Sequence, residues 1–211
     1  MNYPMIFNII GRIVGVEALF MLPPLFISIY CQEQASLRGF LITLIILVLI
    51  SFIFSRIKPE KKIFYAREGF FIVGLSWVVV SVFGSLPFFL SGAIPNFVDC
   101  LFETISGFTT TGATILKDIE VLPTSLLYWR SFTHWLGGMG VLVFLLAVIP
   151  MSKGAGFSLH LMRAESPGPQ VGKLVPHLHQ TAKILYSIYI ILTLAEVVFL
   201  LIGKVTLFDS L

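Results

Sequence analysis

Apolar residues dominate this chain in five long stretches, and polar residues are concentrated between them. The stretches comprise residues 6–30, 39–54, 69–90, 123 or 125–149, and 184–202. Their lengths are close to the roughly 20 apolar residues that a helix needs to cross a bilayer, so the pattern predicts five membrane helices. Residues 69–90 contain no charge and form the clearest span. The first stretch contains Arg12, Glu17 and the pair Pro23-Pro24, which predicts a kinked helix.

A shorter element lies between the third and fourth stretches. Residues 97–106 read as a helix that Pro95 and Asn96 open and that Asp99 supports in its first turn. It is too short to span a membrane, so we expect a re-entrant helix that is buried in protein or lines water. The run that follows, Thr109 to Ala113, holds no ionisable side chain. Its carbonyls and hydroxyls suit the dehydration of a cation, with Gly112 free to adopt unusual backbone angles. The alternative is an ordinary Thr/Gly turn.

Composition agrees with a membrane protein. Hydrophobic residues make up 57% of 211 and charged residues 12%, with a mean hydropathy of +0.96, whereas about a quarter of the residues of a soluble domain are charged. The net charge of +3 does not suggest nucleic-acid binding. The two cysteines, Cys31 and Cys100, offer no metal or disulfide framework and are interpreted as packing residues.

Positive charge predicts the orientation. Lys and Arg number five in the loop after the second stretch and four in the segment after the fourth, against four in the segments on the opposite side. Because cytoplasmic loops carry the excess of Lys and Arg, this bias places the N-terminus in the cytoplasm and the re-entrant element outside. The inner residues are Arg56, Lys58, Lys61, Lys62, Arg67, Lys153, Arg163, Lys173 and Lys183; the outer ones are Arg38, Lys117, Arg130 and Lys204.

The positions of several polar residues allow two structural interpretations. Acidic groups near the re-entrant element would either concentrate cations at a mouth or form a solvated loop; they are Asp99, Glu103, Asp118 and Glu120. The tryptophans Trp129 and Trp135 fit an interfacial belt, and the glycines at 137, 138 and 140 indicate close helix packing or, less often, bending.

An intramembrane enzyme is a competing class of function. Its candidate groups are Glu17, His134 and Glu196, but no two of them make an evident acid/base pair on one helix. The pair His177 and His179 lacks a partner at ligand spacing, so metal binding is not favoured.

Two parts of the sequence resemble each other. Asn96 to Leu101 begins the re-entrant helix, and Leu207 to Leu211 has a similar shape, with Asp99 and Asp209 separated by 209 − 99 = 110 positions. This predicts a helix-hairpin-helix unit that begins twice. We therefore divide the chain into residues 1–68, with two N-terminal helices and a cytoplasmic loop; 69–150, the first repeat; 151–183, a cytoplasmic linker; and 184–211, the first helix of a second repeat.

The sequence motifs described above resemble those of a known protein family. Several segments resemble the Trk/Ktr/HKT superfamily of potassium transporters, specifically the bacterial Trk-type uptake subunit. These segments are FETISGFTTTGAT at 102–114, WRSFTHWLGGMG at 129–140, RAES at 163–166 and Pro176. The resemblance implies an all-α membrane fold of helix–pore loop–helix repeats around an ion pathway. It also implies a potassium filter at Thr110, Thr111, Gly112 and Ala113, with Gly112 as the filter glycine.

The same resemblance implies location and partners. It places the chain in the inner membrane, with potassium as the transported ion and no further cofactor, a cytoplasmic nucleotide-binding regulatory subunit, and a dimer of the membrane subunit. Family members carry four repeats, and we expect this chain to hold one repeat and the start of another. The alternative to a conducting subunit is therefore a non-conducting truncated fragment, or an accessory membrane subunit that associates with full-length subunits.

Overall fold

The structure is a computed structural model that describes residues 3–57, 66–138, 140 and 178–210. Those residues contain helices, turns and irregular segments, with no strand. Four of the segments are long and apolar enough to cross a membrane, judged by length and composition: Tyr3–Tyr30, Gln34–Ser55, Glu68–Leu90 and Lys183–Ile202. The chain forms two compact units, Met1–Val141 and Leu142–Leu211.

The first apolar stretch forms two consecutive helices, α1 (Tyr3–Phe20) and α2 (Leu22–Tyr30), with Met21 between them. The predicted kink is confirmed. Pro23 and Pro24 lie in the first turn of α2, where a missing N–H is tolerated, but they cannot continue the hydrogen-bond ladder of α1.

The next two spans are α3 (Gln34–Ser55) and α4 (Ala66–Leu90). Helix α3 begins five residues before the predicted start at residue 39, because the polar residues read as a link form its first turn instead. Of the basic loop after α3, residues 58–65 lie outside the described residues.

The re-entrant helix is α5 (Phe97–Phe108), and α6 (Thr124–Gly138) follows it. Helix α5 extends two residues past the predicted end at residue 106. Gly107 does not end the helix; its missing side chain allows α6 to approach. The predicted fourth span is described as far as Gly138, and the rest of it, apart from Gly140, lies outside the described residues.

In the first unit, α1, α3 and α4 pack against one another, while α5 packs against α4 and α6. Ile13, Phe40, Phe108 and Trp129 are fully or almost fully buried at the centre. Large apolar side chains on the outer surfaces are exposed, including Leu49, Phe52, Phe70 and Val78. An exposed apolar surface of this extent suits a protein surrounded by lipid.

Close helix contacts explain two glycines of α1. A Cβ at Gly11 would lie 2.5 Å from Phe54 Cβ, and one at Gly15 would lie 2.5 Å from Ser51 Oγ. Glycines four residues apart let two membrane helices approach closely, and here they bring α1 against α3.

The second unit contains α7 (Leu178–Ile202) and the short α8 (Leu207–Ser210). Helix α7 begins six residues before the predicted start at residue 184. The Asp209 N–H donates to Thr206 Oγ1 at 3.3 Å, and the Thr206 hydroxyl donates to Asp209 Oδ2 at 2.6 Å. A capped helix therefore starts at Thr206, 110 positions after the capped start at Asn96. The linker before α7 and His177 lie outside the described residues.

Candidate functional site

Helix α5 is capped and short. The Asn96 side chain accepts a hydrogen bond from the Val98 N–H at 3.1 Å, and Asp99 lies in the first turn, where an acidic group stabilises the positive end of the helix dipole. Its 12 residues extend about 18 Å, well under the roughly 30 Å hydrocarbon thickness. The predicted cap is confirmed.

The end of α5 turns directly into the predicted filter loop. The Thr110 N–H donates to Gly107 O and the Thr111 N–H donates to Ser106 O, both at 2.9 Å. Thr110 has φ +56° and Gly112 has φ +74°. Both angles are in the left-handed region, which glycine adopts readily and threonine adopts only when its surroundings hold it there.

The four predicted filter residues are consecutive and exposed. The Ser106 hydroxyl donates to the Ala113 carbonyl at 2.6 Å, so this oxygen has a protein partner. No hydrogen bond from the described residues reaches the carbonyls of Thr110, Thr111 or Gly112. The loop thus combines one anchored carbonyl with three consecutive carbonyls that are available to a ligand.

Glu103 anchors the far side of the loop. Its Oε1 accepts a hydrogen bond from the Thr114 hydroxyl at 2.5 Å and another from the Ile115 N–H at 2.6 Å. Its Oε2 pairs with Arg130 Nε at 2.9 Å. Both interpretations of Glu103, as a mouth residue and as part of a solvated loop, were wrong, because its side chain has no exposed surface and bonds to these three partners.

The charge state of Glu103 follows from these contacts. Glu103 lies on the re-entrant helix, outside the membrane-spanning segments. Burial alone would raise the pKa of its carboxyl, but the hydrogen bonds from Thr114, Arg130 and Ile115, with the Arg130 charge, outweigh burial and lower the pKa. The ionised carboxylate is therefore the form that holds the loop.

Two glycines bring α5 and α6 together behind the loop. A Cβ at Gly107 would lie 2.1 Å from Thr133 Oγ1, and a Cβ at Gly137 would lie 2.2 Å from the Phe108 carbonyl oxygen. The prediction of close packing is confirmed at Gly137. The end of the re-entrant helix is consequently fixed against α6.

Trp129 contributes to this packing instead of to a membrane interface. It is fully buried, and its indole Nε1 donates to the Gly84 carbonyl at 2.9 Å. The interfacial interpretation was wrong for this residue because its ring is buried against Phe40 of α3 and Phe108 of α5. The packing interpretation of Cys31 was also wrong, since Cys31 is exposed, whereas Cys100 is buried.

Glu33 is a positioning residue that sequence reasoning missed. Its carboxylate accepts hydrogen bonds from the Thr124 N–H at 2.7 Å, from the Ser125 N–H at 3.2 Å and from the Ser125 hydroxyl. It thus caps the N-terminus of α6 from 91 residues away. Gln32, which precedes it, has φ +58° and lies in the turn between α2 and α3. The sequence around α6 contains no pattern that predicts a cap supplied by a distant residue such as Glu33.

The candidate enzyme groups are not assembled into an acid/base pair among the described residues. Glu17 is buried on α1, with no hydrogen-bond partner at either carboxyl oxygen. His134 Nδ1 lies 3.0 Å from the Arg130 carbonyl on its own helix. Glu196 belongs to the second unit and is exposed.

Comparison with known proteins gives a consistent result. The family described as "TrkH: Cation transport protein" matches residues 32–208. The Trk system potassium uptake protein TrkH of Halomonas elongata is 36% identical over all of this chain and 44% of the relative; the TrkH of Escherichia coli is 36% identical with the same coverage. An uncharacterized cation transporter from Methanocaldococcus jannaschii is 31% identical over 98% of this chain.

A solved structure agrees on the fold. The potassium transporter TrkH from Vibrio parahaemolyticus superposes with a TM-score of 0.79 at 30% identity, covering 100% of this chain and 42% of that one. The all-helical architecture is therefore that of part of a membrane transporter, and the chain spans less than half the length of the relatives it matches. The chain belongs to the TrkH family of cation transport proteins.

Proposed function

We propose that this chain contributes one repeat to a potassium uptake pore, and that Thr110, Thr111, Gly112 and Ala113 supply its share of the selectivity filter. The observation that carries the proposal is the exposed loop whose carbonyls at 110, 111 and 112 accept no hydrogen bond from the described residues. Carbonyl oxygens held in such a loop replace the hydration shell of a cation.

The electrostatics of the loop favour a cation over an anion. The loop carries no ionisable side chain, and it follows the C-terminal end of α5, where the helix dipole is negative. The Arg130 guanidinium behind the loop is neutralised by Glu103. A cation at the loop would therefore meet partial negative charge from the carbonyls and from the helix end.

The filter geometry requires further protein around it. The loop is exposed, and lipid could not satisfy its free carbonyls, so other loops must complete the ion path. We therefore expect the 211-residue polypeptide, expressed by itself, to give no potassium-selective flux in vesicles. Selective uptake by this polypeptide would show that copies of it assemble a pore unaided.

The second candidate function is a non-conducting chain that associates with full-length subunits. The exposed apolar side chains along α7, such as Ile191 and Phe199, favour it because they offer a surface for other membrane helices or for lipid. Co-purification with full-length subunits, without any contribution to flux, would support this alternative over the first proposal.

The direct test is a chimera. This chain replaces the matching part of the Escherichia coli relative, and the chimera is expressed in a strain that depends on it for potassium uptake. We expect growth on low potassium and faster potassium than sodium uptake in vesicles. The parent transporter is the control for expression and membrane insertion. A chimera that inserts as well as the parent but takes up no potassium would contradict the proposal.

Location and partners are proposed on the family relationship. We place the chain in the inner membrane with a cytoplasmic N-terminus, in a dimer of full-length subunits that binds a cytoplasmic nucleotide-binding regulatory subunit. The orientation rests on the Lys and Arg bias. A cysteine introduced at Lys61 should react with a membrane-impermeant thiol reagent only from the cytoplasmic side, after Cys31 has been replaced. Labelling from outside intact cells would reverse the orientation.

A further inference from the structure

Glu17 is a buried acidic group that the filter does not use. Its side chain is on α1, and the residue is 3% exposed. Neither Oε1 nor Oε2 has a hydrogen-bond partner. A buried polar atom without a partner is unusual in a folded protein, and an unpaired buried charge is far more costly than an unpaired neutral group.

The carboxyl borders a small cavity behind the re-entrant helix α5, which we call the pore helix. Its volume is about 10 Å³, and the other residues that line it are apolar: Val16, Phe20, Val80, Phe108 and Leu136. A cavity of this size is near the lower limit for one water molecule. It is too small and too apolar for a hydrated cation, so the ligand of this site is not the transported ion.

Among the described residues, no charged group forms a bond with Glu17. The ionisable residues on the helices around it, whose side chains are described, are Tyr3 and Arg12 on α1, Tyr30 on α2, Arg38 on α3, Glu68 on α4, Asp99, Cys100 and Glu103 on α5, and Tyr128, Arg130 and His134 on α6. None of them bonds to the Glu17 carboxyl. Arg12 is exposed, and Arg130 is paired with Glu103. An ionised Glu17 would be an isolated charge among apolar side chains.

We propose that Glu17 is a proton-binding site behind the pore helix, and that it carries its proton in the packed conformation seen here. The ligand is a proton held on a carboxyl oxygen, with space for at most one water molecule beside it. When the site empties, the O–H bond breaks, the proton passes to water, and a carboxylate remains that must draw in more water to be stable.

The site is coupled to the filter through the end of α5. Glu17 Oε1 lies 3.4 Å from the position of a Cβ at Gly84, and the same position is 2.9 Å from the Phe108 ring and from Thr104 Cγ2. Phe108 is the last residue of the pore helix, two residues before Thr110. Water drawn to an ionised Glu17 would therefore enter beside Phe108 and loosen the packing that fixes the filter loop.

The test uses a complete transporter that contains this chain, with Glu17→Gln as a neutral and isosteric variant. Potassium flux and the potassium/sodium ratio are measured from mildly acidic to alkaline pH. We expect both to fall in the wild type as pH rises, by no more than about tenfold per pH unit because one proton is released. The Glu17→Gln variant should hold its neutral-pH values throughout. Glu68→Gln is the control, since Glu68 is also buried but does interact with other groups, and it should keep the wild-type pH dependence.

A second measurement does not depend on transport and so separates this inference from the proposed function. The infrared spectrum of the wild type at neutral pH should contain the carbonyl band of a protonated carboxyl, which both Glu17→Gln and Glu17→Leu remove. The Leu variant serves if the Gln variant does not reach the membrane. An identical band in wild type and variants, or the same pH dependence of flux in Glu17→Gln and wild type, would overturn the proposal.

Discussion

Gly112→Ser is the sharpest test of the filter, because the chain contains a matched control. Gly112 has φ +74° and Gly92 has φ +73°, and a Cβ at either position would meet no atom within 4 Å. A side chain in this left-handed region costs roughly 1–2 kcal/mol. Both serine variants should therefore lose about the same stability, although Gly112 belongs to the predicted filter and Gly92 to the connection between α4 and α5.

The two variants should differ in selectivity. A backbone shift at Gly112 moves the carbonyls that replace the hydration shell, whereas a shift at Gly92 does not reach the ion. A loss of about 1.4 kcal/mol in discrimination corresponds to a tenfold change. We expect the potassium/sodium flux ratio of a complete transporter containing this chain to fall by about that factor in Gly112→Ser and to change little in Gly92→Ser. Equal ratios in the two variants, at matched thermal stability and expression, would refute the filter assignment.

Three further predictions concern the residues behind the loop. Glu103→Gln should lower thermal stability by about 3 kcal/mol because it removes one partner of a buried pair. As the pKa of Glu103 is lowered by folding, its contribution is present above the pKa of the unfolded carboxyl and is lost as pH falls through the folded value, so the variant should lose less stability in acid than the wild type. Gly137→Ala should lower stability more than Gly107→Ala. The new Cβ at Gly137 would clash with the Phe108 backbone, whereas the one at Gly107 would clash with the Thr133 side chain, which Thr133→Ala would remove. The reverse order of stabilities would contradict this packing. Glu33→Ala should cost about 1 kcal/mol through loss of the α6 cap, and no change in melting temperature would exclude that role.

Local signals in the sequence predicted the elements that depend on local physics. Four of the five apolar stretches correspond to candidate spans among the described residues, the proline pair predicted the break at Met21, and Asn96 predicted the start of α5, because a cap and a proline act on adjacent backbone groups. The exposed Thr/Gly loop also followed from its own composition.

The supports of the site were not predictable in the same way. Trp129 was assigned to an interface and Glu103 to a mouth or a solvated loop because those are common locations for their residue types, and tertiary contacts placed both in the interior. The Glu103–Arg130 pair joins residues 27 positions apart, and the Glu33 cap joins residues 91 positions apart. A single sequence carries no signal of such distances.

The filter loop owes its shape to residues that do not belong to it. Thr110 has φ +56°, which costs a non-glycine residue roughly 1–2 kcal/mol, and the loop is exposed, so its own side chains have few contacts that could repay this cost. The compensation comes from Ser106, which holds the Ala113 carbonyl, and from Glu103, which holds Thr114 and Ile115. The buried side chains of Ser106 and Glu103 therefore fix the directions of the loop carbonyls. Ion selectivity in this chain should therefore depend as strongly on Ser106 and Glu103, which lie outside the four filter residues, as on the threonines that carry the exposed carbonyls.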